Sequence, residues 1–113
     1  MNQFNTNENF ARSVREQIVS TAQSMLNGQL SFLIGSRRLA SLRHDTNAAV
    51  NDADFSVFVA IDSETDAFPL GAVREHWDQD ALVKLEPEIQ KAELWATTVG
   101  ADACKSLIDR YSE

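Results

Sequence analysis

The first part of the chain carries apolar residues at the spacing of an amphipathic helix. Between residues 6 and 27 they recur every three or four positions, at Phe10, Val14, Ile18, Ala22 and Met25. This period predicts a helix with one buried face. Asn5, followed three residues later by Glu8, is similar to a capping box at its start, and Asn27-Gly28 predicts a left-handed stop at its end.

A second helix is predicted from Ser31 to about Arg43, because Phe32, Gly35, Leu39 and Leu42 fall on one face. Gly35 has no side chain, so it would let another helix approach closely there. The short link over 28–30 predicts an antiparallel hairpin of the two helices. Residues 44–52 are rich in Asn, Asp and Ala and predict a loop.

The segment from Phe55 to Ile61 fits two patterns. Its alternating, β-branched residues are typical of a strand. Helical spacing is also present, and Asp52 or Asp54 is a good N-cap. A strand would find a partner only in residues 68–73, which contain a proline and a glycine. We therefore favour a helix that ends at Ile61.

The last third of the chain predicts several helices. Asp78 is placed to cap a helix, and Pro87 predicts a kink or a restart at Glu86-Pro87 because proline does not fit a helix interior. Gly100 predicts a helix end, followed by a last helix through Cys104. The chain is therefore predicted to be a mainly α-helical bundle of five or six helices, in a single domain over 1–113.

Composition agrees with this expectation and narrows the class of protein. The 113 residues are 43% hydrophobic and 24% charged, as in ordinary globular domains. No apolar run approaches the roughly 20 residues of a membrane span, and the first residues do not form a secretory signal. Cys104, the single cysteine, excludes an internal disulfide and a cysteine-rich zinc site. We expect a cytoplasmic protein without a cofactor.

Charge is distributed unevenly along the chain. Residues 1–56 carry five acidic residues and five arginines, whereas residues 57–113 carry twelve acidic and five basic residues. The whole net charge of −7 therefore lies in the second half. Such a field repels nucleic-acid phosphates and anionic lipid, and it favours encounter with cationic surfaces. We expect a basic protein partner and neither nucleic acid nor membrane.

The stretch from Asp62 to Asp66 alternates acids with hydroxyls and allows several interpretations. Its acids resemble the first half of a calcium loop, but Ala67 and Val73 stand where the glycine and the bidentate glutamate belong, so no metal site is predicted. A catalytic carboxylate pair would need apolar surroundings that are largely missing here. We favour solvated side chains after Ile61, and the main functional alternative is an acidic loop that recognises a partner.

The other titratable residues form no catalytic motif. His44 is followed by Asp45, and Asp78 lies two residues after His76. No serine or cysteine nucleophile stands in a recognisable elbow, so these pairs do not indicate a catalytic triad. Cys104 lies in an apolar stripe and is predicted to be a core thiol.

A basic cluster comprises Arg37, Arg38, Arg43 and His44. It could bind an anion. We favour its pairing with acids of the second half, which would dock the two halves of the chain.

Trp77 precedes the cap Asp78 among polar residues. It could be an exposed interface anchor, but we favour the interpretation that it seals the end of the core. The candidate partner-binding residues are Asp62, Glu64, Asp66, Phe68, Trp77 and Asp78.

The residues 62–66, together with Pro69-x-Gly71 and Arg74-x-x-Trp77, resemble small bacterial proteins of uncharacterised families, over about residues 52–85. In size and acidity the chain is also similar to immunity proteins of contact-dependent and other polymorphic toxin systems. Those proteins share no common fold or motif, so no functional residue is carried over. The resemblance implies an immunity or inhibitor protein that neutralises a basic toxin domain. Alternatives are a small helical enzyme or ligand-binding domain, and a self-assembling homo-oligomer.

Overall fold

The structure, a computed structural model, describes residues 3–112, with side chains from residue 7 onward. Within this range the chain forms α-helices and two short 3₁₀ helices and contains no strand. The helices are α1 (Gln3–Leu26), α2 (Phe32–Leu42), α3 (Ala53–Thr65) and α4 (Gln79–Tyr111), with 3₁₀ helices at Arg43–Asp45 and Gly71–His76. The predicted mainly α-helical bundle is confirmed.

The helix α1 follows the predicted apolar stripe over most of its length. Its buried apolar residues are Val14, Ile18, Ala22 and Met25. Phe10 is an exception, with 57% of its surface exposed. The predicted capping box is wrong, because α1 begins at Gln3 and places Asn5 inside the helix; the side chain of Asn5 lies outside the described residues. Gly28 has a φ of +82° and forms the predicted left-handed stop.

The predicted close approach at Gly35 is also present. A Cβ atom added to Gly35 would lie 2.3 Å from the Sδ atom of Met25 on α1. Met25 is almost fully buried, so its side chain fills the space that a larger residue at position 35 would need. The α1–α2 hairpin therefore depends on glycine at this position.

The N-terminus of α2 is capped by two residues, one of them from α4. The Oγ atom of Ser31 accepts hydrogen bonds from the backbone N–H groups of Leu33 and Ile34. Glu93 accepts a hydrogen bond from the N–H of Phe32 at 2.6 Å and another from the Ser31 hydroxyl at 2.8 Å. A carboxylate interacts favourably with the positive end of a helix, so Glu93 also fixes α4 against α2.

The ambiguous segment from Phe55 to Ile61 is helical, as we favoured. Asp52 is the N-cap of α3, and its Oδ1 atom accepts hydrogen bonds from the N–H groups of Asp54 (3.0 Å) and Phe55 (3.2 Å). Phe55, Phe58 and Ile61 are buried and share one helical face. A helix satisfies its own backbone groups, whereas a strand here would have had no partner.

The helix α4 is longer than predicted, because neither Pro87 nor Gly100 interrupts its 33 residues. Pro87 lies in its third turn, where proline leaves the carbonyl of Val83 without an intrahelical partner. Both residues are exposed, so water can hydrate that carbonyl. Buried residues before and after the proline, Leu82 and Ile89, hold the helix to the core on both sides.

Gly100 serves packing rather than termination. It is buried in α4, and a Cβ atom added there would lie 3.3 Å from the ring of Phe32 and 3.4 Å from that of Phe58. Glycine lets α4 approach the aromatic side chains of α2 and α3. The predicted helix end at Gly100 is wrong, because α4 continues through this residue to Tyr111.

Side chains from all four helices form one buried cluster. The molecule is elongated, with principal dimensions of 54 × 30 × 26 Å, and the 33 residues of α4 form a helix about 50 Å long. Among the described residues, no helix combines the length and the apolar character required to span a bilayer.

Candidate partner-binding surface

The predicted acidic loop is largely the end of a helix. The helix α3 continues past Ile61 to Thr65, so Asp62 and Glu64 lie in its last turns and Asp66 is its C-cap. The Thr65 hydroxyl donates a hydrogen bond to the carbonyl of Ile61 at 2.7 Å, which extends the apolar face into the last turn. Acidic residues at a helix C-terminus are repelled by the negative end of the helix dipole, and a nearby positive charge offsets this repulsion.

Arg37 of α2 supplies this compensation. Its guanidinium donates hydrogen bonds to the carbonyl oxygens of Thr65 (2.6 Å) and Phe68 (3.1 Å), which caps α3 and holds the following loop. The Nε atom of Arg37 lies 3.6 Å from the Oδ1 atom of Asp62. Arg37 therefore docks the two halves of the chain as predicted, and Asp62 is partly engaged within the fold.

The rest of the basic cluster does not share this role. Arg38 is exposed and lines a groove between α1 and α2. Arg43 is half-buried, and its Nε atom has no hydrogen-bond partner among the described residues. His44 is exposed at the end of α2. Of the four cluster residues, Arg37 is the one that pairs with an acid of the second half within the described part of the chain.

A small groove lies beside the end of α3. We call it the Trp95 groove; it has a volume of about 270 Å³ and is lined by Glu64, Thr65, Phe68, Lys91, Ala92 and Trp95. Phe68 is half-buried and packs against the core, so it forms a wall of the groove. Trp95 is 40% exposed, and its indole is open to solvent. The groove thus combines aromatic surface with charged residues at its rim.

Exposed acidic side chains lie on both helices that border this groove. Glu64 and Asp66 are exposed at the end of α3. Glu88 and Asp102 are exposed on α4, each seven residues from Trp95 and on the same helical face. We call these four residues the acidic face, and none of them forms an ion pair with another described residue.

Trp77 and Asp78 lie away from this groove, at the start of α4. Trp77 is 39% exposed, so it does not seal the core. Its backbone N–H donates a hydrogen bond to the carbonyl of Arg74 at 3.1 Å. Asp78 is the predicted N-cap, and its Oδ2 atom accepts a hydrogen bond from the N–H of Ala81 at 3.3 Å. The stretch of α4 that separates these residues from Trp95 is about 24 Å long. The six predicted site residues therefore divide into two groups.

Sequence reasoning did not include Trp95, Lys91 or Ala92 in the site. Their part in the site depends on how α3 and the loop after it pack against α4, which no local pattern shows. The signal was nevertheless present, because Trp95 stands beside the buried stripe of α4 rather than within it.

The candidate catalytic residues remain apart. His44 and His76 are both exposed, and neither forms a hydrogen bond to an aspartate within the described residues. Cys104 is fully buried, and burial raises the pKa of its thiol to about 12. A neutral, inaccessible thiol is not a nucleophile. The described residues also contain no group of three potential metal ligands.

A second charged cluster joins the opposite end of α3 to α4. Arg110 contacts both oxygens of Asp52, at 2.7 and 3.0 Å, and one oxygen of Asp54 at 2.9 Å. The hydrogen bond from Arg110 lowers the pKa of Asp52 despite the opposing effect of burial. Ser106 donates a further hydrogen bond to Asp54 at 2.6 Å. These groups satisfy one another, so the cluster is structural rather than a binding site.

Comparisons of this chain with protein-family models, curated proteins and solved structures gave no match. Geometry and charge therefore carry the functional interpretation. The resemblance to small bacterial proteins and to immunity proteins stays a prediction.

Proposed function

We propose that this protein binds a cationic protein partner through the acidic face around the Trp95 groove. The observation that carries this proposal is an exposed tryptophan on the same helical face as carboxylates that form no ion pair with another described residue. Tryptophan is among the residues that contribute most to binding energy at interfaces. Surrounding charges of one sign select a partner of the opposite sign and orient it during encounter.

Long-range electrostatics support the same proposal. The chain carries a net charge of −7, and that excess lies wholly in residues 57–113. A charge of this size attracts a cationic protein over roughly 8 Å at physiological ionic strength. Association would then be faster than for neutral surfaces and would slow as salt is added.

The most concrete form of this function is an immunity or inhibitor protein that masks a basic toxin domain in the cytoplasm. A toxin domain that acted on nucleic acid would carry a cationic surface, because it must bind phosphates. An acidic protein can cover such a surface without any catalytic group of its own.

One observation favours a second function, the binding of a small molecule. The groove between α1 and α2 has a volume of about 770 Å³, within the range of about 300–1,000 Å³ for small-molecule sites. Its lining includes Arg38 and the hydroxyl groups of Ser13, Ser20 and Ser41. It lacks the aromatic walls that dominate most small-molecule sites, so we rank this function second.

Affinity capture from cells of the native host tests the proposal. The wild-type chain is compared with the double variant Glu64→Gln/Asp66→Asn. The control, Asp45→Asn/Asp109→Asn, makes the same change in charge at two exposed positions outside the acidic face.

We expect the wild type and the control to retain one basic protein, and the acidic-face variant to retain at least tenfold less of it. Equal retention by all three chains, or the absence of any basic protein, would contradict the proposal. A gene for the retained protein immediately beside that of the chain would support the immunity function in particular.

A further inference from the structure

The size of the Trp95 groove restricts what it can hold. Its volume of about 270 Å³ lies below the usual range for small-molecule sites, about 300–1,000 Å³. It is therefore suited to a single large side chain rather than to a metabolite. Phe68, Ala92 and Trp95 offer that side chain an apolar surface on both sides.

We infer that the Trp95 groove receives one large apolar side chain from an amphipathic, cationic helix of the partner. This inference rests on the proposed function, because it specifies the element that the acidic face recognises. The partner helix has an apolar face, which would contact the groove, and basic residues on either side of it, which would contact the carboxylates at the rim.

The apolar counterpart continues along α4 beyond the groove. Val99 is 42% exposed and follows Trp95 by one helical turn. Helices that bind in grooves present apolar residues at similar spacings of three, four and seven. A bound helix could therefore place one side chain in the groove and a second against Val99.

The basic flanks are matched by carboxylates on both sides of Trp95. Glu88 and Asp102 lie about 10 Å from Trp95 along the axis of α4, in opposite directions. Glu64 stands on the facing wall, with Lys91 as the basic residue of the lining. Lysine or arginine in the bound helix would pair with these carboxylates, whereas the lining itself contains one acid, Glu64, and one base, Lys91.

The same charges disfavour a second copy of this chain as the occupant. Two copies that met at the acidic face would bring like charges together, which costs several kcal/mol in an interface. The chain as a whole is also acidic, so its copies repel one another at long range.

Three synthetic peptides of equal length test the inference. The first is an amphipathic helix of Lys and Leu, the second replaces every Leu by Ser, and the third replaces every Lys by Glu. Trp77→Phe leaves Trp95 as the only tryptophan, so its fluorescence reports on the groove. Calorimetry measures binding in parallel, because it detects peptides that do not touch the tryptophan.

We expect the Lys/Leu peptide to bind and to shift the Trp95 emission to shorter wavelength, since the peptide removes water from the indole. The Lys/Ser peptide should bind at least tenfold more weakly without the shift, and the Glu/Leu peptide should not bind. An unchanged Trp95 emission on binding of the Lys/Leu peptide would overturn the inference.

A matched pair of variants distinguishes the contribution of the groove to peptide affinity from that of the acidic face. Trp95→Ala should weaken the Lys/Leu peptide by tenfold or more, whereas Leu94→Ala should change its affinity by less than twofold. Leu94 is the adjacent residue, is 71% exposed and lies outside the groove. Circular dichroism of both variants confirms that they are folded.

The two proposals fail in different ways. If Glu64→Gln/Asp66→Asn weakens all Lys peptides but Trp95→Ala has no effect, the acidic face binds cations and the groove has no role. If the Glu/Leu peptide binds as well as the Lys/Leu peptide, recognition is not electrostatic, and both the inference and the proposed function are refuted. Binding of neither peptide would likewise overturn the inference.

Discussion

Replacing Gly35 with alanine should destabilise the protein, although alanine is the better helix former. The new Cβ atom would lie 2.3 Å from the Sδ atom and 2.4 Å from the Cγ atom of Met25. Carbon atoms normally approach to about 3.5–4.0 Å, so the Met25 side chain must move by more than about 1 Å. Met25 is 2% exposed within the core, which leaves it little free space.

The expected magnitude is the difference between two effects. Overpacking of a core costs about 1–3 kcal/mol, and the change from glycine to alanine inside a helix contributes about 1 kcal/mol in the opposite direction. We therefore expect Gly35→Ala to lower the free energy of unfolding by about 1 kcal/mol. Urea denaturation followed by circular dichroism measures this, and Tm should fall by about 4 °C.

Two further variants test the reasoning. Gly100→Ala places its Cβ atom 3.3 Å from the Phe32 ring, a much milder contact, so it should be the more stable of the two glycine variants by at least about 1 kcal/mol. In a Met25→Ala background the clash disappears, and Gly35→Ala should then stabilise the protein. A Gly35→Ala protein as stable as the wild type, or no change of sign in the Met25→Ala background, would refute the described packing of α1 on α2.

Three further predictions concern the contacts that join the helices. Arg110 lowers the pKa of Asp52, so this pair stabilises the fold fully above the ordinary aspartate pKa of 3.8 and loses that effect as pH falls through the lowered pKa. The free energy of unfolding, measured from pH 6 to pH 2, should therefore depend less on pH in Asp52→Asn than in the wild type. Glu93→Ala should cost about 1–2 kcal/mol in urea denaturation because it removes a cap of α2, whereas Glu88→Ala on the exposed side of α4 should stay within about 0.5 kcal/mol. A thiol reagent at pH 8 should modify Cys104 slowly in the native protein and rapidly in denaturant, since burial raises its pKa to about 12; fast native modification would contradict the described core.

The helices that the sequence predicted correctly are those whose signals are local. The stripe of α1, the left-handed Gly28 and the Asp52 cap of α3 each depend on residues within a few positions of one another. The close approach at Gly35 was also predictable, because a glycine on the apolar face of a helix leaves room for a neighbouring helix to pack against its backbone.

The misjudged features depend on contacts that are distant in sequence. Pro87 and Gly100 carry local signals for a break, but α4 stays continuous because the core holds it on both sides of each residue. The pairing of Arg37 with an acid of the second half was predicted, but its cap on α3 at Thr65, 28 residues away in sequence, was not. A local pattern gives no information about such a partner, whose identity depends on how the helices pack.

The sequence indicates that the candidate site is acidic, but it does not indicate the groove beside Trp95. The acidic residues at 62–66 were identified from the sequence, although they belong to the end of a helix. Trp95 was missed because its position beside the groove depends on the register of α4 and on the loop that brings Phe68 next to it. Trp77 was included because of its sequence context, and the structure places it at the other end of this stretch of α4.

The most direct test of the proposed binding surface is to map it by NMR. The ¹⁵N-labelled chain is titrated with the basic protein retained in the capture experiment, and amide shifts are followed residue by residue. The proposal predicts that the largest changes cluster at the end of α3, at Phe68 and over residues 88–102 of α4, together with the indole N–H of Trp95. Changes confined to the α1–α2 groove around Arg38, with none at Trp95, would contradict it.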